Sequence, residues 1–278
     1  MSTTMAPARE TVRAADRVAA ARRQVSMGET IGQTLTMAWR ALKKMRRNPE
    51  QFFDVALQPI LFTAMFAYIF GGAIAGDVES YLPLMIPGIL AQTVLTTCMA
   101  TGTQLREDME KGVFDRFKSL PIARIAPLAG PMVADLLRYT IAATLTFGMG
   151  LLMGYRPGGG AYGVLGAILL AIFTGWSLAW VFTWVGTIAR SAQAVQGISM
   201  MILFPLTFLS NAFVPIETLP HWLAAFVRIN PVSHLVTAAR DLANSGLVSG
   251  AVAWTLVACL VVIAIFAPLS VRSYKRHI

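Results

Sequence analysis

Between Asp54 and Asp77 the chain runs for 22 residues without a charged side chain, and five more such gaps follow. They cover positions 80–105, 139–155, 157–189, 191–216 and 242–271. A helix needs roughly 20 apolar residues to cross a hydrocarbon core of about 30 Å. Inside lipid it must also satisfy its own backbone hydrogen bonds. Six windows meet the length, the third narrowly, and predict spans at about 53–71, 84–104, 133–154, 163–188, 194–214 and 251–270. Only 13% of the residues are charged, against roughly 25% in an ordinary soluble domain. That excludes a soluble enzyme, a disordered tail and a collagen-like fibre. The predicted class is an all-α polytopic membrane protein with six transmembrane helices. An N-terminal amphipathic interfacial helix and a re-entrant outer segment between helices five and six complete it.

The net charge of +9 reads as topology rather than as a nucleic-acid surface. Ten Lys and Arg precede residue 52, from Arg9 to Arg47. Arg106, Lys111, Arg116, Lys118 and Arg124 follow span two, Arg138 opens span three and Arg190 separates spans four and five. Arg272, Lys275 and Arg276 end the chain, which leaves Arg156, Arg228 and Arg240 for the opposite side. Basic residues collect on the cytoplasmic side. The expected location is therefore the cell membrane, multi-pass, with both termini cytoplasmic.

Residues 1–25 are Ala- and Arg-rich with little apolar pattern and read as a mobile cytoplasmic tail. They lack the apolar core of a secretory signal. Residues 26–48 follow as a helix. Ser26–Glu29 has capping-box spacing, and Ile31, Leu35, Ala38, Leu42 and Met45 make one helical stripe flanked by Arg40, Lys43, Lys44, Arg46 and Arg47. A basic amphipathic helix beside a first span is expected to lie on the membrane surface; the alternative is a soluble helix packed on a partner. The transmembrane domain occupies 49–272 and the cytoplasmic C-terminus 273–278. The outer segment from Val214 to Asn244 is apolar but holds pieces too short to span, with Trp222 suited to the headgroup level.

Chemistry is sparse. There is no Gly-Lys-Ser or Gly-Lys-Thr and no Gly-x-Ser-x-Gly, and His221, His234 and His277 lack metal-ligand spacing. Cys98 and Cys259 lie in apolar runs and offer no disulfide framework. Asp135 and Arg138 are three apart at the entry to span three and are expected to bond to each other. No acid lies near a span centre, where a proton-driven pump keeps one. Neutral polar residues within the spans include Gln92, Thr96 and Asn211. With Phe204 and Phe208 they are candidates for a substrate path, against the alternative of helix packing.

The inner loop is the most informative segment. Span two runs on through Glu107 and Glu110, then come Phe114, Arg116 and Phe117, then Ser119-Leu120-Pro121-Ile122-Ala123-Arg124. Ser119 can cap a short helix with Pro121 in its first turn. Such a helix sets an apolar knob on a charged cytoplasmic loop, which suits docking of a soluble partner better than a merely solvated loop.

The run Gly112–Arg124 resembles the inner loop of type-2 ABC exporter permeases of the daunorubicin-resistance kind. Asn48-Pro49 through Gly71-Gly72, Asn211–Pro215 and Asn230-Pro231 are similar to the same family, as is the order of elements over about residues 27–275. The resemblance implies a homodimer in the lipid bilayer with two copies of a separate cytoplasmic ABC ATPase, which binds ATP and Mg. The missing motifs and the charge split lead to the expectation of no cofactor in this chain, no catalytic residue, no metal and no nucleic acid. Ser119–Arg124 would be the coupling helix, with Glu107 and Glu110 near the ATPase contact. Export of a hydrophobic or amphiphilic drug or antibiotic is the expectation. Export of a cell-envelope lipid or lipid-linked polysaccharide is the alternative. An integral membrane enzyme or a channel is more remote, since no clustered polar motif and no charged ring is visible.

Overall fold

A computed structural model describes residues 27–47, 49–113, 125–214 and 216–277. The tail 1–25, Ser26 and the loop residues Phe114 to Arg124 lie outside the described residues. Nine α-helices are present among the described residues. They are α1 (Met27–Arg47), α2 (Pro49–Ala75), α3 (Val78–Glu110), α4 (Ala126–Leu152) and α5 (Gly160–Ile188). Then come α6 (Ala192–Phe208), a 3-10 turn at Ile216–Thr218, α7 (His221–Ile229), α8 (Pro231–Ser245) and α9 (Gly250–His277). Four stretches are long and apolar enough to cross a membrane: Val55–Ala75, Val78–Glu110, Gly160–Ile188 and Gly250–Tyr274. The helix α6 is apolar but shorter, at 17 residues, and α4 carries Asp135 and Arg138 within its length.

The centre of the bundle is α3, buried along most of its 33 residues. Asp77 starts it by accepting from the Ser80 amide at 2.7 Å and the Ser80 hydroxyl at 2.9 Å. Its crossing with α5 is a backbone contact. A Cβ on Gly102 would lie 2.2 Å from the Phe182 carbonyl oxygen, and one on Gly186 would lie 2.6 Å from the Gly102 oxygen. Small residues let two helices approach that closely, and close approach replaces the hydrophobic drive that lipid cannot supply. Side-chain hydroxyls join α9 to α5: Ser177 donates to the Cys259 carbonyl at 2.9 Å and Ser270 to the Trp180 carbonyl at 3.0 Å. The remaining surface of α9 is largely exposed.

Helix α1 packs on α4, where Met37 covers Gly130 and Ala38 is buried. The apolar stripe expected from the spacing is divided. Ala38, Leu42 and Met45 lie at or near that contact, whereas Ile31 and Leu35, with Trp39, are 60%, 57% and 62% exposed. The helix thus presents apolar side chains in two directions, one toward α4 and one away from the chain.

Candidate transport path and coupling site

One end of the bundle is organised by α8, whose Val232, Leu235, Val236, Ala239 and Leu242 are buried. Its polar residues reach backbone carbonyls of α3 and of the segment after α6. Pro87 has no N–H, so the Pro83 carbonyl inside α3 lacks its usual donor. Asn244 supplies one at 2.9 Å. Arg240 donates to the carbonyls of Leu84 and Asn211, both at 2.9 Å. The Tyr155 hydroxyl donates to Asn244 Oδ1 at 2.6 Å, and burial pushes this phenol up to about 12. Arg240 thus anchors α8 to α3 by charge-assisted hydrogen bonds.

Asn230 joins two helices. Its Oδ1 accepts from the Val232 amide at 2.9 Å and so caps α8, with Pro231 at the first helical position. Its amide nitrogen donates to the carbonyls of Leu206 and Leu209, at 2.7 and 2.8 Å, which are among the orphan acceptors at the end of α6. The Asn-Pro pair is legible in the sequence as a break. Its partner carbonyls, more than twenty residues upstream, are not.

The candidate path residues fall into two groups. Phe204 and Phe208 stack at 4.5 Å between ring centroids and are exposed. Phe208 meets Phe213 at 5.8 Å, and Phe213 stacks on Phe66 of α2 at 4.4 Å. Phe66 in turn stacks with Phe62 and Phe70 at 5.9 and 5.4 Å. The result is a continuous aromatic ladder from α6 to α2, which sequence reading found only in part. Gln92 and Thr96 lie one turn apart inside α3. Thr96 accepts from Gln58 of α2 at 3.2 Å and donates to the Gln92 carbonyl at 2.9 Å. Gln92 is buried with its Oε1 unpartnered among the described residues. Asn211 is buried and donates to Thr237 at 2.9 Å, tying the end of α6 to α8.

At the opposite end, Arg106 and Glu110 hold α3 to the α5–α6 connection. Arg106 Nη2 donates to the Arg190 carbonyl at 3.0 Å and its Nε lies 3.3 Å from Glu110 Oε1. The same Glu110 oxygen accepts from the Ala192 amide at 3.1 Å, in the first turn of α6, beside the Ser191 cap. A carboxylate at a helix N-terminus is favoured by the local dipole. Glu107 pairs with Lys111 at 3.4 Å, and Lys44 of α1 pairs with Asp108 at 2.9 Å. Deeper in, Asp135 and Arg138 bond at 3.2 Å, and Thr101 donates to Asp135 at 2.5 Å. The bond is the one the three-residue spacing predicts, and the pair is buried.

The sequence is similar to those of known proteins. The family described as "ABC-2 type transporter" matches residues 32–243. The chain belongs to that family. The permease is 43% identical over 88% of its length to the daunorubicin resistance ABC transporter permease protein DrrB1 of Streptomyces coeruleorubidus, covering 87% of that protein. It is 26% identical to the "Probable doxorubicin resistance ABC transporter permease protein DrrC" of Mycobacterium tuberculosis, over 83% of this chain and 85% of the other. It is 28% identical over 68% of its length to the doxorubicin resistance permease protein DrrB of the same species, covering 65% of that chain. These relatives are permease subunits, and the family places a partner ATPase on a separate subunit and the permease in a membrane.

Proposed function

We propose that this chain is the permease half of an ATP-driven exporter that moves a hydrophobic or amphiphilic drug or antibiotic out of the cell. The observation that carries the reading is the 43% identity, over nearly the full length of both chains, to a daunorubicin resistance permease. In this reading α2, α3, α4, α5, α6 and α9 are the six spans and both termini are cytoplasmic. Helix α1 lies on the cytoplasmic membrane surface, its Ile31, Leu35 and Trp39 face dipping into lipid. The α7–α8 segment is the re-entrant outer element. The chain works as a homodimer with two ATPase subunits, which bind ATP and Mg.

The coupling helix is Ser119–Arg124, with Phe114, Arg116, Phe117, Leu120, Pro121 and Ile122 meeting the ATPase. Glu107 and Glu110 stand at its base. The exposed Phe204 and Phe208 receive the drug, with Gln92, Thr96 and Asn211 on the path. The aromatic ladder supports this because flat apolar ligands stack on such rings.

The test is drug accumulation in cells that express the permease with its ATPase. Efflux must require both subunits and ATP hydrolysis. Replacing Leu120 and Ile122 together by Asp removes apolar burial and adds unpaired charge at the docking contact. The expected result is a fall of about tenfold in ATPase co-purification and efflux at normal abundance. Normal efflux by that variant overturns the coupling assignment. ATP-dependent release of an envelope lipid without drug efflux overturns the substrate assignment.

A further inference from the structure

A second site lies apart from the path and the coupling end. A groove of about 440 Å³ opens between the end of α7, the start of α8 and the first turns of α9. Its apolar wall includes Ile229 and Trp254, which are 80% and 66% exposed. Its polar edge is Arg228, in the last turn of α7, and His234, whose ring stacks on Trp254 at 6.4 Å with 25° between the planes. Thr255 adds no free donor, because its hydroxyl bonds to the Ala251 carbonyl at 2.8 Å. No carboxylate is among the described lining residues.

The depth of the groove decides what fits it. Helix α9 begins at Gly250 and is apolar enough to span. Trp254 therefore sits about 6 Å along its axis, and Ala258 about 12 Å. An indole near the start of a span marks the headgroup boundary. A ligand in this groove meets a cation and an apolar wall. A soluble anion would leave the wall wet, and a cationic amphiphile would face Arg228. We propose that the groove binds a phospholipid with an anionic headgroup, with Arg228 and His234 at the phosphodiester and Trp254 and Ala258 along the first acyl methylenes. The inference rests on the membrane placement proposed above and assigns a lipid site that the exporter reading does not require.

The test uses the full-length permease, purified with its ATPase, stripped of lipid and offered equal amounts of phosphatidylglycerol and phosphatidylcholine. Retained lipid is counted by native mass spectrometry. Wild type is expected to hold phosphatidylglycerol in preference by about fivefold, the scale of one cation at an anionic membrane surface. R228Q should bring the two lipids within about twofold, and W254A should weaken retention of both. Absence of any preference in wild type, a test that needs no variant, overturns the proposal. So does an unchanged preference in the R228Q/H234Q double variant, or displacement of the lipid by millimolar inorganic phosphate or by daunorubicin. ATP-dependent drug efflux is read separately. Lost preference with intact efflux fails the groove alone, and intact preference without efflux fails the exporter reading alone.

Discussion

Asn244 donates its side-chain amide to the Pro83 carbonyl at 2.9 Å, the acceptor that Pro87 strands one turn further along α3. A proline in a spanning helix is tolerated when another element satisfies the carbonyl it frees, and here that element is α8. Replacing Asn244 by Ala should cost about 1–1.5 kcal/mol, the net worth of a hydrogen bond at a part-buried acceptor. In a P87A background the restored N–H takes over the Pro83 carbonyl. The same N244A change should then cost about 1 kcal/mol less. Thermal unfolding of the four proteins in detergent gives the cycle. A coupling of zero removes the structural link between the two residues.

Asn230 can be tested one function at a time. N230D keeps an acceptor for the Val232 amide and so keeps the α8 cap, but it cannot donate to Leu206 and Leu209. It should lose stability while α8 remains helical. N230A loses cap and donor together and should cost about 2 kcal/mol or more. Hydrogen exchange along 203–209 and 231–236 separates the cases. Both segments should open in N230A, and only the first in N230D.

Glu110 is expected to matter for transport more than for assembly. E110Q weakens the bond to the Ala192 amide and removes the charge opposite Arg106. Both groups are partly exposed, so the cost to folding should stay within about 1 kcal/mol. If this contact passes loop motion to α6, drug efflux falls severalfold while the ATPase still co-purifies. Equal loss of ATPase binding and efflux would instead put Glu110 at the docking surface.

Tyr155 gives the α8 end of the bundle an alkaline limit. Its phenol is raised to about 12 by burial, so the fold holds the proton more tightly than the unfolded chain does near pH 10. The contribution is complete below pH 10 and is lost as pH rises from 10 through 12. The ionised oxygen can no longer donate to Asn244. The thermal midpoint of wild type should therefore drop across that interval more steeply than that of Y155F. Parallel curves would show that the phenol titrates normally.

The parts legible in the sequence are those where desolvation acts alone. Uncharged gaps marked the helices that carry α2, α3, α5 and α9, because a charge in lipid is costly whatever its neighbours. The Asp135–Arg138 pair was legible because both partners lie on one helical turn. The stripe on α1 was legible as periodicity, but its division was not. Spacing cannot say that α4 approaches over Met37 and Ala38 and leaves Ile31 and Leu35 outward. Arg240 counted only as one of three outer cations, because Leu84 is 156 residues away from it and Asn211 29. Glu110 was legible as the end of the run-on of span two, but its bond to the first turn of α6 was not, since the amide it accepts from lies 82 residues on. The coupling residues from Phe114 to Arg124 rest on the sequence and its resemblance alone.

The splice at Asn230 has a mechanical consequence. One side chain ends α6 and begins α8, with no linker between the two bonds that could stretch. The end of α6 and the start of α8 are therefore pinned to one residue. Arg240 and Asn244 pin α8 in turn to α3 at Leu84 and Pro83. Phe208, Phe213 and Phe66 link α6 to α2 through ring contacts alone, which carry no directional bond to hold the seam in one register.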